Sequence, residues 1–252
     1  MNPETTPARP GATWWIPERL EPALVAMGVG DCQGCELHRG PGTTPPAGDG
    51  PSANLVGPGP VPARVVVVAA QPAGDVGTRG DGAGQGAGDG AGEGADPVGR
   101  LVHTCLERAG VDPATTWTTY AVKHAGPGRE LDPAHVTACA PWWHAELEMV
   151  RPCGVVLLGD AVAQALVGDH AAELVRGRTA PWPREMDRPV RQLDAEHHPT
   201  WVLLTRDPRD AVDEHGQPVA AEVDALVAEL GAAAPAGPAG AGSAVEGRGA
   251  QA

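Results

Sequence analysis

The 252-residue chain contains no phenylalanine, one tyrosine and one lysine, Lys123. The remaining basic residues are arginines. Enrichment in Ala, Gly, Pro and Arg with almost no Lys or Phe follows the codon bias of a GC-rich genome and carries no functional signal. Also missing is an excess of positive charge: the formal net charge is −14. So acidic a chain repels phosphate backbones at long range, and nucleic-acid binding is not its default reading. Net charge leaves room, however, for a local Arg- and His-lined cleft. No apolar run is long enough to span a membrane. The opening residues MNPETTPARPGATWW lack a basic stretch followed by an apolar one, so no secretory leader is read there. A reducing cytoplasm is the expected compartment, and Cys pairs there serve as metal ligands more often than as disulfides.

Gly and Pro are abundant, at 35 and 27 residues, which lengthens loops and tails relative to the folded part. Residues 1–12 are expected to be a disordered lead, 13–230 one domain, and 231–252 a disordered tail rich in Ala, Gly and Pro. Within the domain, residues 77–95 alternate Gly with Ala, Asp, Gln and Glu and read as a low-complexity loop.

The hydrophobic pattern predicts strands alternating with helices. Leu20, Leu24 and Met27 give a helical stripe over 16–27 behind Pro17. Ala63–Ala70 is a continuous β-branched run, suited to a strand buried on both faces. Leu101, Cys105 and Ala109 mark a helix over 97–110, stopped by Gly110. Trp117–Lys123 reads as a second strand. Asp132 and Pro133 open a helix running to Val150, with Val136, Ala140, Trp143 and Leu147 at helical spacing. Gly154–Gly159 is a third strand, followed by a helix over 160–166. Val190–Glu196 is the fourth strand candidate, ending in His197-His198-Pro199, and a last helix covers 219–230. This order predicts an α/β fold: three α/β/α layers around a central, mainly parallel four-stranded sheet. Sites in such sheets lie beyond the C-terminal ends of the strands, here in loops starting at Gln71, His124, Gly159 and His197.

Two thiolates at the spacing of Cys32 and Cys35 can grip one metal ion or cluster. They need partners from elsewhere, and the best placed are His124, just after a strand, and Cys139, early in a helix. Cys105 and Cys153 read as core residues.

In order, the chain shows DCQGCELHR, ARVVVVAAQPAG, GRLVHTCLERAGV, YAVKH, ACAPWWHAELEMVRP, VVLLGDAVAQALVG and HHPTWVLL. This series, over about residues 15–230, resembles the iron–sulfur uracil-DNA glycosylases: the family-four enzymes and the related UdgX-type branch. The resemblance implies a [4Fe–4S] cluster held by Cys32, Cys35, His124 and Cys139, with His in the VKH position as in the UdgX-type branch. It places the family's His-Pro motif on His198 and Pro199, where the His stabilises the charge that develops on the leaving base, and the base must leave the stack to be reached. Gln71 falls in the motif that binds the flipped base and positions water. That motif's Glu and first Gly are replaced by Ala70 and Ala69, with Asp75 the candidate substitute carboxylate. The family's uracil-reading Asn falls on Tyr120, which lacks a paired amide donor and acceptor. The aromatic that stacks on uracil has no counterpart, and the insertion that carries a covalent His is missing after His124.

Two readings follow. In one, the chain is a base-excision repair glycosylase acting on uracil or a related damaged base in DNA. It would work as a monomer, in the cytoplasm and at the nucleoid, with His198, Gln71 and Asp75 catalytic and Gln71, Tyr120 and Pro199 contacting substrate. In the other, it is a catalytically degenerate relative, an iron–sulfur module that binds DNA or a protein. A zinc-stapled α/β module unrelated to repair is the third.

Overall fold

A computed structural model describes residues 21–30, 32, 34–35, 37, 59–71, 97–123, 131–183, 199–213 and 215–234. The expected N-terminal lead, the Gly-rich loop at 77–95, His124, Asp75, His198 and the strand expected at 190–196 lie outside these residues. So does the C-terminal tail beyond Ala234.

Ten elements make up the described fold. They are α1 (Pro22–Gly30), β1 (Val65–Ala69), α2 (Pro97–Arg108), β2 (Thr116–Tyr120) and α3 (Pro133–Val150), then β3 (Gly154–Leu158), α4 (Asp160–Val167), β4 (Thr179–Pro181), β5 (Trp201–Thr205) and α5 (Ala220–Leu230). The strands form one sheet in the order β2-β1-β3-β5-β4. The first four are parallel, and β4 is an antiparallel edge strand beside β5. The expected α/β class and parallel core are observed, with one short strand more than the four expected.

The strands are valine- and leucine-rich because both sheet faces are covered. On one face Val66, Val68, Val155, Leu157, Val202 and Leu204 pack with Val25 of α1, Trp142 and Leu147 of α3 and Leu166 of α4. On the other, Val65, Val67, Val156, Leu158 and Leu203 meet Leu101, Cys105 and Leu106 of α2 and Leu226 and Leu230 of α5. The two-residue alternation along each strand divides these sets, and the result is three layers. Burying each such Val or Leu fully contributes about 1.5–3 kcal/mol.

Local chemistry sets the element ends. At the start of α3 the Asp132 carboxylate accepts the Ala134 N–H at 2.7 Å, with Pro133 in the first turn. The helix stops at Arg151, in the left-handed region at φ 51°, whose N–H donates to the Leu147 carbonyl at 2.9 Å. Gly154 is required where β3 begins, because a Cβ there would lie 2.0 Å from the ring of Trp201, its register partner on β5.

Three expectations change. The sheet's fourth parallel strand is Trp201–Thr205, so Pro199 precedes a strand, while the strand expected at 190–196 lies outside the described residues. Cys153, read as core, is exposed, whereas Cys105 is buried in the α2 face as expected. The folded domain also runs past residue 230, since Gly231–Ala233 form a 3-10 turn that buries Ala233. Among the described residues, no helix is long and apolar enough to cross a membrane.

Candidate functional site

The parallel sheet brings the C-terminal ends of β1, β2, β3 and β5 to one edge. Pairing between β1 and β2 continues past the strands: Ala121 N–H donates to the Ala69 carbonyl at 2.8 Å, and Val122 N–H to the Ala70 carbonyl at 3.0 Å. Ala69 and Tyr120 are register partners. Gln71 and Tyr120, both half-buried, therefore stand at the same end of neighbouring strands, as the resemblance implied.

Pro199 does not join them. Thr200 N–H donates to the Cys153 carbonyl at 2.8 Å, which fixes this segment beside the start of β3. That is the N-terminal end of the sheet, and a five-residue strand separates it from the C-terminal end by about 17 Å. His198 lies outside the described residues; its chain neighbour Pro199 stands at the N-terminal end of the sheet, away from Gln71 and Tyr120.

Beyond the C-terminal end of β5 the chain instead reads Thr205-Arg206-Asp207-Pro208-Arg209. Gly159, at φ +99°, allows the loop after β3 to pack here, since a Cβ would sit 3.1 Å from Asp207 Cβ. Asp207 is fully engaged locally. Its Oδ1 accepts the Arg209 N–H at 2.9 Å, capping the 3-10 turn Pro208–Ala211. The Arg209 guanidinium clasps the same carboxylate, with Nε at 3.0 and 2.9 Å from its two oxygens and Nη2 at 2.5 Å from Oδ2. Arg206 turns to α5, where its N–H meets Glu229 Oε2 at 2.7 Å and its guanidinium meets Glu229 Oε1 and Glu222.

The cysteines form a second locus, beside α3. Cys32 and Cys139 are buried and Cys35 is half-buried, with all five cysteines of the chain free. Gly34 packs against Ala138, so the C-x-x-C loop rests on the turn of α3 that carries Cys139. Cys35 lies against the small cluster of Leu37, Val122, Val136 and Cys139. Burial pushes the Cys139 thiol up to about 11; the Lys123 N–H opposes this, while Cys35 and Cys32 push it further. Cys35 and Cys32 thus both lie within electrostatic reach of Cys139. Backbone and side-chain donors point at two of them: Gly34 N–H at 3.4 Å and Trp142 Nε1 at 3.3 Å from Cys32 Sγ, and Lys123 N–H at 3.4 Å from Cys139 Sγ. Among the described residues, no three His, Cys, Asp or Glu side chains are gathered closely enough to hold a metal ion. A single zinc, with Zn–S near 2.3 Å, would draw its sulfurs to within about 4 Å of each other. A multi-iron cluster spaces its sulfurs more widely. Soft thiols receiving N–H bonds are the donor chemistry that an iron–sulfur cluster takes.

One constellation was not anticipated. Lys123 and Glu146 are both fully buried, with Lys123 Nζ 2.7 Å from Glu146 Oε2 and 2.6 Å from Thr119 Oγ1. Thr119 Oγ1 donates to Glu146 Oε2 at 2.5 Å, and Glu146 Oε1 has no partner. The available signal was the chain's lone lysine closing an apolar strand, two turns of helix away from any obvious mate.

A mostly parallel α/β/α domain of this kind carries its site in the loops beyond the C-terminal ends of its strands. A family model, the uracil DNA glycosylase superfamily, matches residues 57–230. The chain belongs to that superfamily. The matched stretch includes Cys139, Gln71, Tyr120 and Asp207 and begins after Cys32 and Cys35. No curated protein matches the chain.

Proposed function

We propose that this chain is a DNA-binding member of the superfamily whose scaffold is clasped by a [4Fe–4S] cluster and whose pocket no longer excises uracil. The observation that carries this reading is the x-Pro pair beyond β5, which is Asp207-Pro208. Uracil leaves as an anion, so catalysis needs a donor or positive charge at the base. A carboxylate closed onto Arg209 supplies neither. Ala70 and Tyr120 point the same way: one removes the carboxylate that would position water, and the other removes the paired amide that reads uracil's edge. DNA enters as the partner because superfamily members act on DNA. With a net charge of −14, binding should be weak and should fall steeply with salt.

Cys32, Cys35 and Cys139 would hold the cluster, with His124 as the fourth ligand. When bound, it ties the C-x-x-C loop, the exit of β2 and the start of α3 into one unit. The Gly34 and Trp142 N–H groups point at the Cys32 sulfur, and the Lys123 N–H at that of Cys139.

The test uses the full chain, purified anaerobically, with single-stranded uracil-containing DNA followed by alkali. Strand cleavage no greater than that of a protein-free control, together with salt-sensitive anisotropy of the same oligonucleotide, is expected. Uracil-dependent cleavage that persists on dilution refutes the loss of excision. Absence of binding at low salt refutes the DNA partner.

Gln71 favours a second reading, excision of a damaged base other than uracil. It stands at the end of the sheet's second strand, β1, and its amide offers a donor and an acceptor to a base edge. In this reading Tyr120 stacks and Gln71 orients, while Asp75 lies outside the described residues. Oligonucleotides carrying single deaminated or alkylated bases, assayed with alkali against a Gln71→Ala variant, decide it.

A further inference from the structure

We infer that Trp142 is a positioning residue for the Cys32 sulfur, orienting it through an N–H bond and raising the reduction potential of the metal group it ligates. This inference rests on the cluster reading above and adds to it a side chain that makes no bond to metal.

Trp142 lies on α3 three residues after Cys139, so both project from one helix face. Its side chain is fully buried, and its indole Nε1–H points at Cys32 Sγ at 3.3 Å. Gly34 N–H approaches the same sulfur at 3.4 Å. A neutral thiol is a weak acceptor, whereas a thiolate accepts strongly. Two N–H donors converging on one buried sulfur therefore describe a ligand's surroundings better than those of a core cysteine.

The indole is not aimed at sulfur merely because a buried N–H must find something. Trp117, Trp143 and Trp201 each carry a buried Nε1 with no partner. This fold leaves indoles unsatisfied elsewhere, and it pairs the one that faces the C-x-x-C loop. α3 thereby acts on the site twice, through the Cys139 thiol and, across the locus, through Trp142 on Cys32.

Hydrogen bonds to the sulfurs are one of the levers on cluster potential. An N–H donor stabilises the more electron-rich, reduced state. Removing it makes reduction harder and pushes the potential to more negative values. It also raises the sulfur lone pair in energy, so sulfur-to-metal charge transfer moves to longer wavelength.

The experiment compares the full chain with Trp142→Phe and with a variant carrying benzothienylalanine at position 142, which keeps the indole's shape and lacks its N–H. If phenylalanine prevents folding, the isostere still reports. Trp143→Phe is the control. On iron-loaded protein, a more negative midpoint potential in both 142 variants and an unchanged one in the control is the expected result. Identical potentials and absorption in wild type and the isostere overturn the inference while leaving the cluster reading intact. If the wild-type protein is colourless and iron-free, the cluster reading fails, and the inference that rests on it falls with it.

Discussion

Removing one member of the Lys123–Glu146 pair should destabilise the protein far more than removing both. Neither side chain has solvent exposure, so a lone charge left behind has no water to meet. Breaking a buried pair at one end costs about 3–5 kcal/mol, whereas replacing both ends with apolar groups of similar volume is often neutral or better. Lys123→Met strands a carboxylate whose Oε1 already has no partner and whose Oε2 keeps only Thr119. Glu146→Leu strands an ammonium with one hydroxyl. The double variant Lys123→Met/Glu146→Leu leaves only the Thr119 hydroxyl unsatisfied, worth about 1–3 kcal/mol, and adding Thr119→Val removes that. For a domain of this size 1 kcal/mol shifts the melting temperature by about 2–4 °C. Each single variant should therefore melt roughly 6–20 °C below wild type, and the triple variant within a few degrees of it. Thermal melts of the wild type and the four variants at one pH measure this. If the double variant loses as much as the two singles added together, stranded charge is not the cause. If Lys123→Met loses under 1 kcal/mol, the pair is not sealed from water.

Burial holds the His144 imidazole down to about 4, and its Nδ1 is buried without a partner, so it is neutral in the fold. The unfolded chain takes up that proton below about pH 6.5 and the folded chain does not. Stability should then fall by roughly 3 kcal/mol as pH drops from 6.5 to 4. Denaturant titrations of wild type and His144→Phe should diverge only in that window; parallel curves would refute the assignment. Gly154→Ala drives a Cβ into the Trp201 ring and should cost about 1–3 kcal/mol, partly recovered in a Trp201→Ala background, as read by urea midpoints. His198→Ala should leave DNA binding and any base excision unchanged, because Pro199 is tied to the N-terminal end of the sheet; a selective loss of excision would place His198 at the site after all.

Much of this architecture was legible because parallel strands covered on both faces write themselves as unbroken apolar runs. Val65–Ala69 and Gly154–Leu158 are such runs, and Asp132-Pro133 announces α3. Val190–Glu196, the strand candidate carrying Arg191, Gln192, Asp194 and Glu196, lies outside the described residues, and the strand beside β3 is Trp201–Thr205. Trp201–Thr205 is apolar for four of its five residues, the pattern that a central position beside β3 demands. The x-Pro pair that follows this strand is Asp207-Pro208. The cysteines were legible as a group, since spacing and element ends brought Cys32, Cys35 and Cys139 together. Lys123 with Glu146 was not, because their meeting depends on the packing of β2 under α3 and leaves no trace in local spacing.

The scaffold and the pocket answer to different constraints, which accounts for a chain that retains one and departs in the other. Along α3, Cys139, Trp142 and Glu146 lie three and four residues apart, so one helix face carries a thiol of the cysteine locus, the indole that holds Cys32 and the carboxylate that fixes Lys123. A change at any of these strands a buried polar partner on another element, and its cost falls on the whole domain. The pocket positions, by contrast, sit at strand ends and in loops. Asp207 satisfies its own neighbourhood by capping a turn and closing on Arg209, and Tyr120 stands half-buried at the end of β2. Such positions can change without loss of folding. The inheritance of α3 therefore says where the domain came from, while Ala70, Tyr120 and Asp207 say what chemistry it can still perform, and only the second set bears on uracil.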